Sequence, residues 1–301
     1  LGKNAASKQR QHAIIPLSSI SSGYDSSAAA AISRYAGCKS TVSIKESSSL
    51  WRGSDSGIQI AEHLGMSCKE YRRTSKDYPF EEAIWAAEGR PGIMNWTQFD
   101  YPEPLCLFFT GCHGEKLWDR VNHDHPDPFV RRDTSSLGFC EFRLLKGVFQ
   151  CPLPFWAVRH SKELHAITAS EEMVPYYMNK DYDKPIARRI VEEAGIPRKA
   201  FGILNKNTSL EKTFWWPMSK TAKTRFHDYL EKIGVYAPTD ASVQLIGLTA
   251  QIDAIFYKNI IKKLGKPKGK RPWSNMPASA LVFQWANTEL KKIYETGLHN
   301  N

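Results

Sequence analysis

Along the first half of the chain, short β-branched or apolar runs alternate with amphipathic stretches, the order that specifies parallel strands joined by crossover helices. His12 to Ile20 (HAIIPLSSI) reads as a buried strand, weakened by Pro16 and its serines. Ser26 to Tyr35 (SSAAAAISRY) is alanine-rich and follows a serine-glycine turn, so it predicts a helix whose first turn lies at the end of that strand. Thr41 to Ile44 is a second strand by the same reading. Asp55 opens DSGIQIAEHLG, where Ile58, Ala61 and Leu64 fall near helical spacing and Gly65 supplies a C-terminal stop. Pro104 to Thr110 (PLCLFFT) is a continuous apolar run closed by Gly111, which fits a central parallel strand leading into a functional loop.

From about Glu171 the texture changes to longer helical segments: Pro185 to Ala194, Thr221 to Ile233, Ser242 to Leu264 and Ala278 to Thr296. The expected organisation is therefore an α/β domain over 1–170, with a parallel sheet sandwiched by helices, followed by a mainly helical region over 171–301. The run IKKLGKPKGKRPW, ending at Trp273, packs Lys, Gly and Pro together and reads as a flexible basic linker.

Composition adds a partner class and a compartment. A hydrophobic fraction of 42% in 301 residues is enough for a sizeable core. Forty-one Lys and Arg against 31 Asp and Glu leave a formal charge of +10, which suits a polyanionic partner: nucleotide, pyrophosphate or nucleic acid. Cys38, Cys68, Cys106, Cys112, Cys140 and Cys151 are scattered without a C-x-x-C pair, which points to a reducing, cytoplasmic setting. No apolar run approaches the roughly 20 residues needed to span a bilayer, so no membrane association is expected.

The most informative stretch is Ser21-Ser22-Gly23-Tyr24-Asp25-Ser26-Ser27, placed after a strand and opening a helix. Small residues let backbone N–H groups approach phosphate oxygens, a helix N-terminus adds partial positive charge, and hydroxyls donate further bonds. The segment resembles the PP-loop ATP pyrophosphatase family, whose signature is S-G-G-x-D-S-[ST]; Ser22 stands where that signature has its first glycine. By this resemblance Ser21, Ser22, Gly23, Tyr24, Asp25, Ser26 and Ser27 hold the pyrophosphate part of ATP, and Asp25 positions Mg²⁺. Val42 and Ile44 would then offer backbone contacts to adenine.

Two further stretches are similar to asparagine synthetase-like enzymes. Thr110 to Trp118 (TGCHGEKLW) resembles S-G-E-G-[SA]-D-E-[LI]-F, with Glu115 where the family has Asp and Lys116 where it has Glu. This resemblance implies that Gly111 and Gly114 shape a nucleotide-facing loop and that Glu115 is a second Mg²⁺ ligand, a carboxylate being a suitable donor. Lys184 to Arg188 (KPIAR), opening a helix at Pro185, resembles K-x-x-[LI]-R. Lys184 or Arg188 would supply the cation that stabilises charge as an adenylate forms and breaks down.

The expected activity is that of an ATP-dependent C–N ligase: adenylation of an acceptor oxygen, with release of pyrophosphate, then displacement of AMP by an amine or ammonia. No glutaminase-like nucleophilic cysteine is seen, so the amine comes from solution or from a donating partner. A PP-loop enzyme acting on tRNA or a deazapurine nucleobase is the alternative, favoured by the basic run Lys262 to Arg271; a non-catalytic PP-loop binding subunit is the third. Asn122 to Asp127 (NHDHPD) and the neighbours Cys112 and His113 are weak candidates for a metal and a nucleophile, since adjacent residues on a turn point apart. Trp215, Trp216, Trp273 and Trp285 are core residues first and base-stacking residues second.

Overall fold

The computed structural model describes residues 2–45, 54–72, 81–86, 99–102, 104–121, 146–179, 182–202, 216–236 and 278–298, with scattered positions between 239 and 256. The chain divides into two compact units, one holding Leu1–Lys76, Asn95–Asp133 and Cys140–Glu211, the other Asp77–Met94, Thr134–Phe139 and Lys212–Asn301. Residues 171–211, expected to begin the second domain, thus lie in the first unit.

The first unit is built on five parallel strands: β1 (Ile14–Ser19), β2 (Ser40–Ile44), β3 (Ser67–Tyr71), β4 (Leu105–Thr110) and β5 (Val148–Pro152), in the order β3-β2-β1-β4-β5. Helices connect and cover them: α1 (Gly2–Ala5), α2 (Tyr24–Ser33), α3 (Ile58–His63), α5 (Gly114–Leu117), α6 (Ser161–Thr168) and α7 (Pro185–Glu193). This is the α/β class expected. β1 and β4 are neighbours although two strands intervene in sequence, because the chain fills one side of β1 before returning to the other. The boundary between them is the topological switch point of the sheet.

Pro16 is tolerated inside central β1 because of where pairing begins. β1 pairs with β4 from Ile14 to Ser18, whereas its register with β2 covers only Ser18 and Ser19. Pro16 therefore lies where β1 has one partner, and its missing donor costs no second ladder bond.

One face of the sheet packs Leu17, Val42, Cys106, Phe108 and Val148 with Phe99. The other carries α2, whose Ala28, Ala29, Ala30 and Ala31 are buried. Side chains this small let α2 approach closely, and Ala187 and Val191 of α7 share its core. Gly57, just before α3, comes so close to Ile20 that an added Cβ would lie 2.7 Å from its side chain.

The second unit contains α4 (Glu82–Ala86), α8 (Lys220–Lys232) and α9 (Ala278–Leu298), packed through Trp85, Trp216, Phe226, Leu230, Val282, Trp285 and Leu290. Ser219 caps α8 by accepting the N–H of Ala222 at 3.1 Å. The Glu81 carboxylate accepts the backbone N–H groups of Met218 and Ser219 and the Trp85 indole N–H, fixing the entry to α8. Trp216 and Trp285 are thus core residues, as expected; Trp215, Trp273 and most of the expected helix 242–264 lie outside the described residues.

Phe108 has no exposed surface and sits at the centre of β4, whereas Phe149 on the edge strand is 41% exposed. Phe108→Ala is expected to lower unfolding free energy in urea by about 3–5 kcal/mol, the usual loss for a buried aromatic truncation. Phe149→Ala should cost less, about 1–2 kcal/mol, because a large part of its ring stays in water; equal losses would contradict the packing described.

Candidate functional site

At the carboxyl end of β1 the chain turns sharply through Ser21–Gly23 into α2. Ser21 Oγ and Ser26 Oγ are 2.6 Å apart, the N–H of Gly23 donates to Ser21 Oγ at 3.2 Å, and Ser27 Oγ donates to the carbonyls of Ser21 (2.9 Å) and Gly23 (2.7 Å). The loop is therefore held by its own hydroxyls, with Ser27 turned inward. Gly23 is extended (φ −80°, ψ 166°) and caps α2 with no side chain, which leaves the first-turn N–H groups available to a ligand.

Ser22 does not take a left-handed conformation, so nothing in the backbone demands glycine there. Its hydroxyl instead donates to Asp55 Oδ1 at 2.7 Å, and its N–H donates to the Asp55 carbonyl at 3.2 Å. Asp55 is fully buried and lies three residues before α3, the cap position being Gly57. It ties the loop to the β2–α3 connection rather than capping a helix.

Across the switch point, the loop after β4 closes on the same corner. A Cβ on Gly111 would lie 2.3 Å from the Asp25 carbonyl carbon, and one on Gly114 would lie 2.3 Å from Asp25 Oδ1. Both glycines are needed for this approach. His113 between them is left-handed (φ 70°), with its ring 5.0 Å from that of Phe155. Glu115 is exposed, and its charge together with that of Asp119 acts on Asp25.

The third wall is the entry to α7. Lys184, 2% exposed, places Nζ 2.5 Å from Asp25 Oδ2. Asp183 beside it is fully buried and accepts from Arg120 Nε (2.9 Å), Met178 N–H (3.1 Å) and Asn179 N–H (3.1 Å), while its carbonyl accepts the N–H of Arg120 at 2.9 Å. One carboxylate thus fastens the exit of the Gly111–Asp119 segment to the residue before Lys184. Arg188 points elsewhere: it donates to the Tyr24 hydroxyl at 2.5 Å and to Glu192 at 2.9 Å, and its guanidinium lies over the rings of Tyr24 and Phe201. Of the two cations expected at the site, Lys184 meets Asp25 and Arg188 braces the loop from behind.

Burial pushes the Asp25 carboxyl above its ordinary range; Lys184 opposes this by charge and hydrogen bond, while Glu115 and Asp119 reinforce it. Asp25 Oδ1 is buried without a hydrogen-bond partner. A buried carboxylate oxygen lacking a donor fits a hard cation such as Mg²⁺. Among the described residues no three His, Cys, Asp or Glu side chains converge on a point, so such an ion would draw its other ligands from phosphate oxygens and water.

Val42 and Ile44 lie in β2, where the Val42 carbonyl accepts the Ile20 N–H at 2.9 Å. Asn122 to Asp127, Cys140 and Lys262 to Arg271 fall outside the described residues. Cys38, Cys68, Cys106, Cys112 and Cys151 are free thiols, and burial pushes Cys106 and Cys151 up to about 12. No described helix is long and apolar enough to cross a membrane.

What the fold and site define together is an α/β protein with a serine-rich turn, a glycine loop and a buried lysine gathered at the switch point of a parallel sheet. No protein-family model matches the chain, and no curated protein matches it.

Lys184→Met strands the Asp25 charge and is expected to cost about 3 kcal/mol at neutral pH, the range for removing one partner of a buried pair. With its folded-state value raised still further, ionised Asp25 opposes folding. The variant should therefore lose stability as pH rises from the ordinary carboxylate value through the folded one, and regain it on acidification. Adding Asp25→Asn should remove that slope in melting experiments across pH 4 to 8, a range set by the ordinary carboxylate value of about 4; an unchanged slope would place the titrating group elsewhere.

Proposed function

We propose that the first unit is a PP-loop ATP-binding domain and that the protein is an ATP-dependent adenylating ligase of asparagine synthetase-like type. The observation that carries this reading is the meeting of Asp25, Lys184 and the uncapped start of α2 at the switch point. An anion at a helix N-terminus, beside a buried ammonium, is stabilised by both. The strand order and the facing loops after β1 and β4 support the fold resemblance, and Ser21, Ser26 and the α2 amides are the groups that would cradle a triphosphate.

In this reading the acceptor oxygen attacks the α-phosphorus and pyrophosphate departs; an amine then displaces AMP from the acceptor. Asp25 and Glu115 would hold Mg²⁺, which when bound neutralises charge on the phosphates. Lys184 steadies the departing pyrophosphate, and Arg188 holds Tyr24, and with it the loop, in place. Positioning and charge stabilisation are what nucleotidyl transfer chiefly asks of a protein. A cytoplasmic setting goes with ATP consumption and with the five free thiols among the described residues.

A pyrophosphate-release screen over carboxylates, nucleobases and tRNA, with amines supplied, tests the proposal. Wild-type protein is expected to release pyrophosphate with at least one acceptor class, and Asp25→Ala to reduce release by a factor of about 10³ or more, the scale of losing a charge-stabilising group at a reacting centre. ATP binding without release under every acceptor would reduce the protein to a binding subunit.

A further inference from the structure

Tyr182 stands two residues before Lys184, on the approach to α7. Its ring lies 4.8 Å from that of Tyr24, and the Lys184 ammonium sits 5.4 Å from its ring centroid. Its hydroxyl stands over the serine loop: a Cβ built on Gly23 would be 3.4 Å from Ser21 Oγ and 3.9 Å from Tyr182 Oη.

We infer that Tyr182 is a further ligand-binding residue, whose hydroxyl donates to a phosphate oxygen of a polyphosphate held at the start of α2. This rests on the reading of the loop as a polyphosphate site. A phenol has one proton to give and two lone pairs. Burial, and then the Asp25 charge, hold the phenol above its ordinary value, so the proton is present throughout the physiological range. The group is thereby a neutral donor that adds no positive charge beside Lys184, and the Gly23 position leaves space between it and Ser21.

The test compares wild type with Tyr182→Phe by calorimetric titration with inorganic pyrophosphate and with ATP, using adenosine as the ligand without phosphate. Loss of a hydrogen bond to a charged oxygen predicts affinity for both phosphate ligands reduced about 10- to 100-fold, with adenosine unchanged. Introducing 4-aminophenylalanine at position 182 restores a donor and should recover most of the affinity. A lowered melting temperature with unaltered pyrophosphate affinity would show that the hydroxyl serves only the packing of Tyr182 against Tyr24, and would overturn the inference. If wild type itself binds neither phosphate ligand, the polyphosphate reading falls and this inference falls with it; equal binding by wild type and Tyr182→Phe removes the inference alone.

Discussion

The contact between Asp25 and Lys184 is the constraint on which the site depends, joining residues 159 positions apart in sequence. Each partner would be costly to bury alone: an isolated ammonium or carboxylate in a medium of low polarity sheds its charge before it accepts such a place. Together they hold opposite charges at the end of α2, and everything else at the switch point is arranged around their meeting. The alanine run brings α2 down onto the sheet, and Ala187 and Val191 bring α7 down onto α2. Gly111 and Gly114 let the β4 loop reach the carboxylate from the far side. The pair is thus a product of packing, and the packing is shaped to permit it.

Much of the sheet was legible from period and composition. β1, β2 and β4 are apolar or β-branched runs, and the alanine helix between β1 and β2 follows a turn rich in hydroxyls. β3 and β5 were not recognised, for a physical reason. Ser67–Tyr71 is an edge strand with polar residues and no buried position, and Val148–Pro152 carries Gln150 and Pro152 on the opposite edge. An edge strand has one neighbour and one wet flank, so its sequence need not be apolar. The division at residue 170 followed a change of texture, but α7 buries Ala187, Arg188 and Val191 against the α/β core, which no local pattern announces.

At the site, the residues carried by motifs were legible and the residues that hold them were not. Ser21–Ser27, Gly111, Gly114 and Lys184 could be singled out because their types and spacing have a chemistry. Asp55 reads only as the opening of a helical stretch and is a buried acceptor for Ser22. Arg188 read as an alternative to Lys184 and is turned against Tyr24 and Phe201, one turn further along than Lys184 at the cap of α7. Asp183 drew no notice, because nothing short of the fold shows that Arg120 and two backbone amides arrive at one carboxylate.

That carboxylate couples the two sides of the corner. Arg120 leaves the glycine loop, Met178 and Asn179 lead into α7, and all three end on the two oxygens of Asp183. The Arg120 N–H on the Asp183 carbonyl and the Arg120 guanidinium on Asn179 Oδ1 tie the same two walls again, so a disturbance of one is felt by the other. A substitution at Asp183 or Arg120 therefore reaches both sides of the site at once, and neither residue can be changed for the sake of one wall alone.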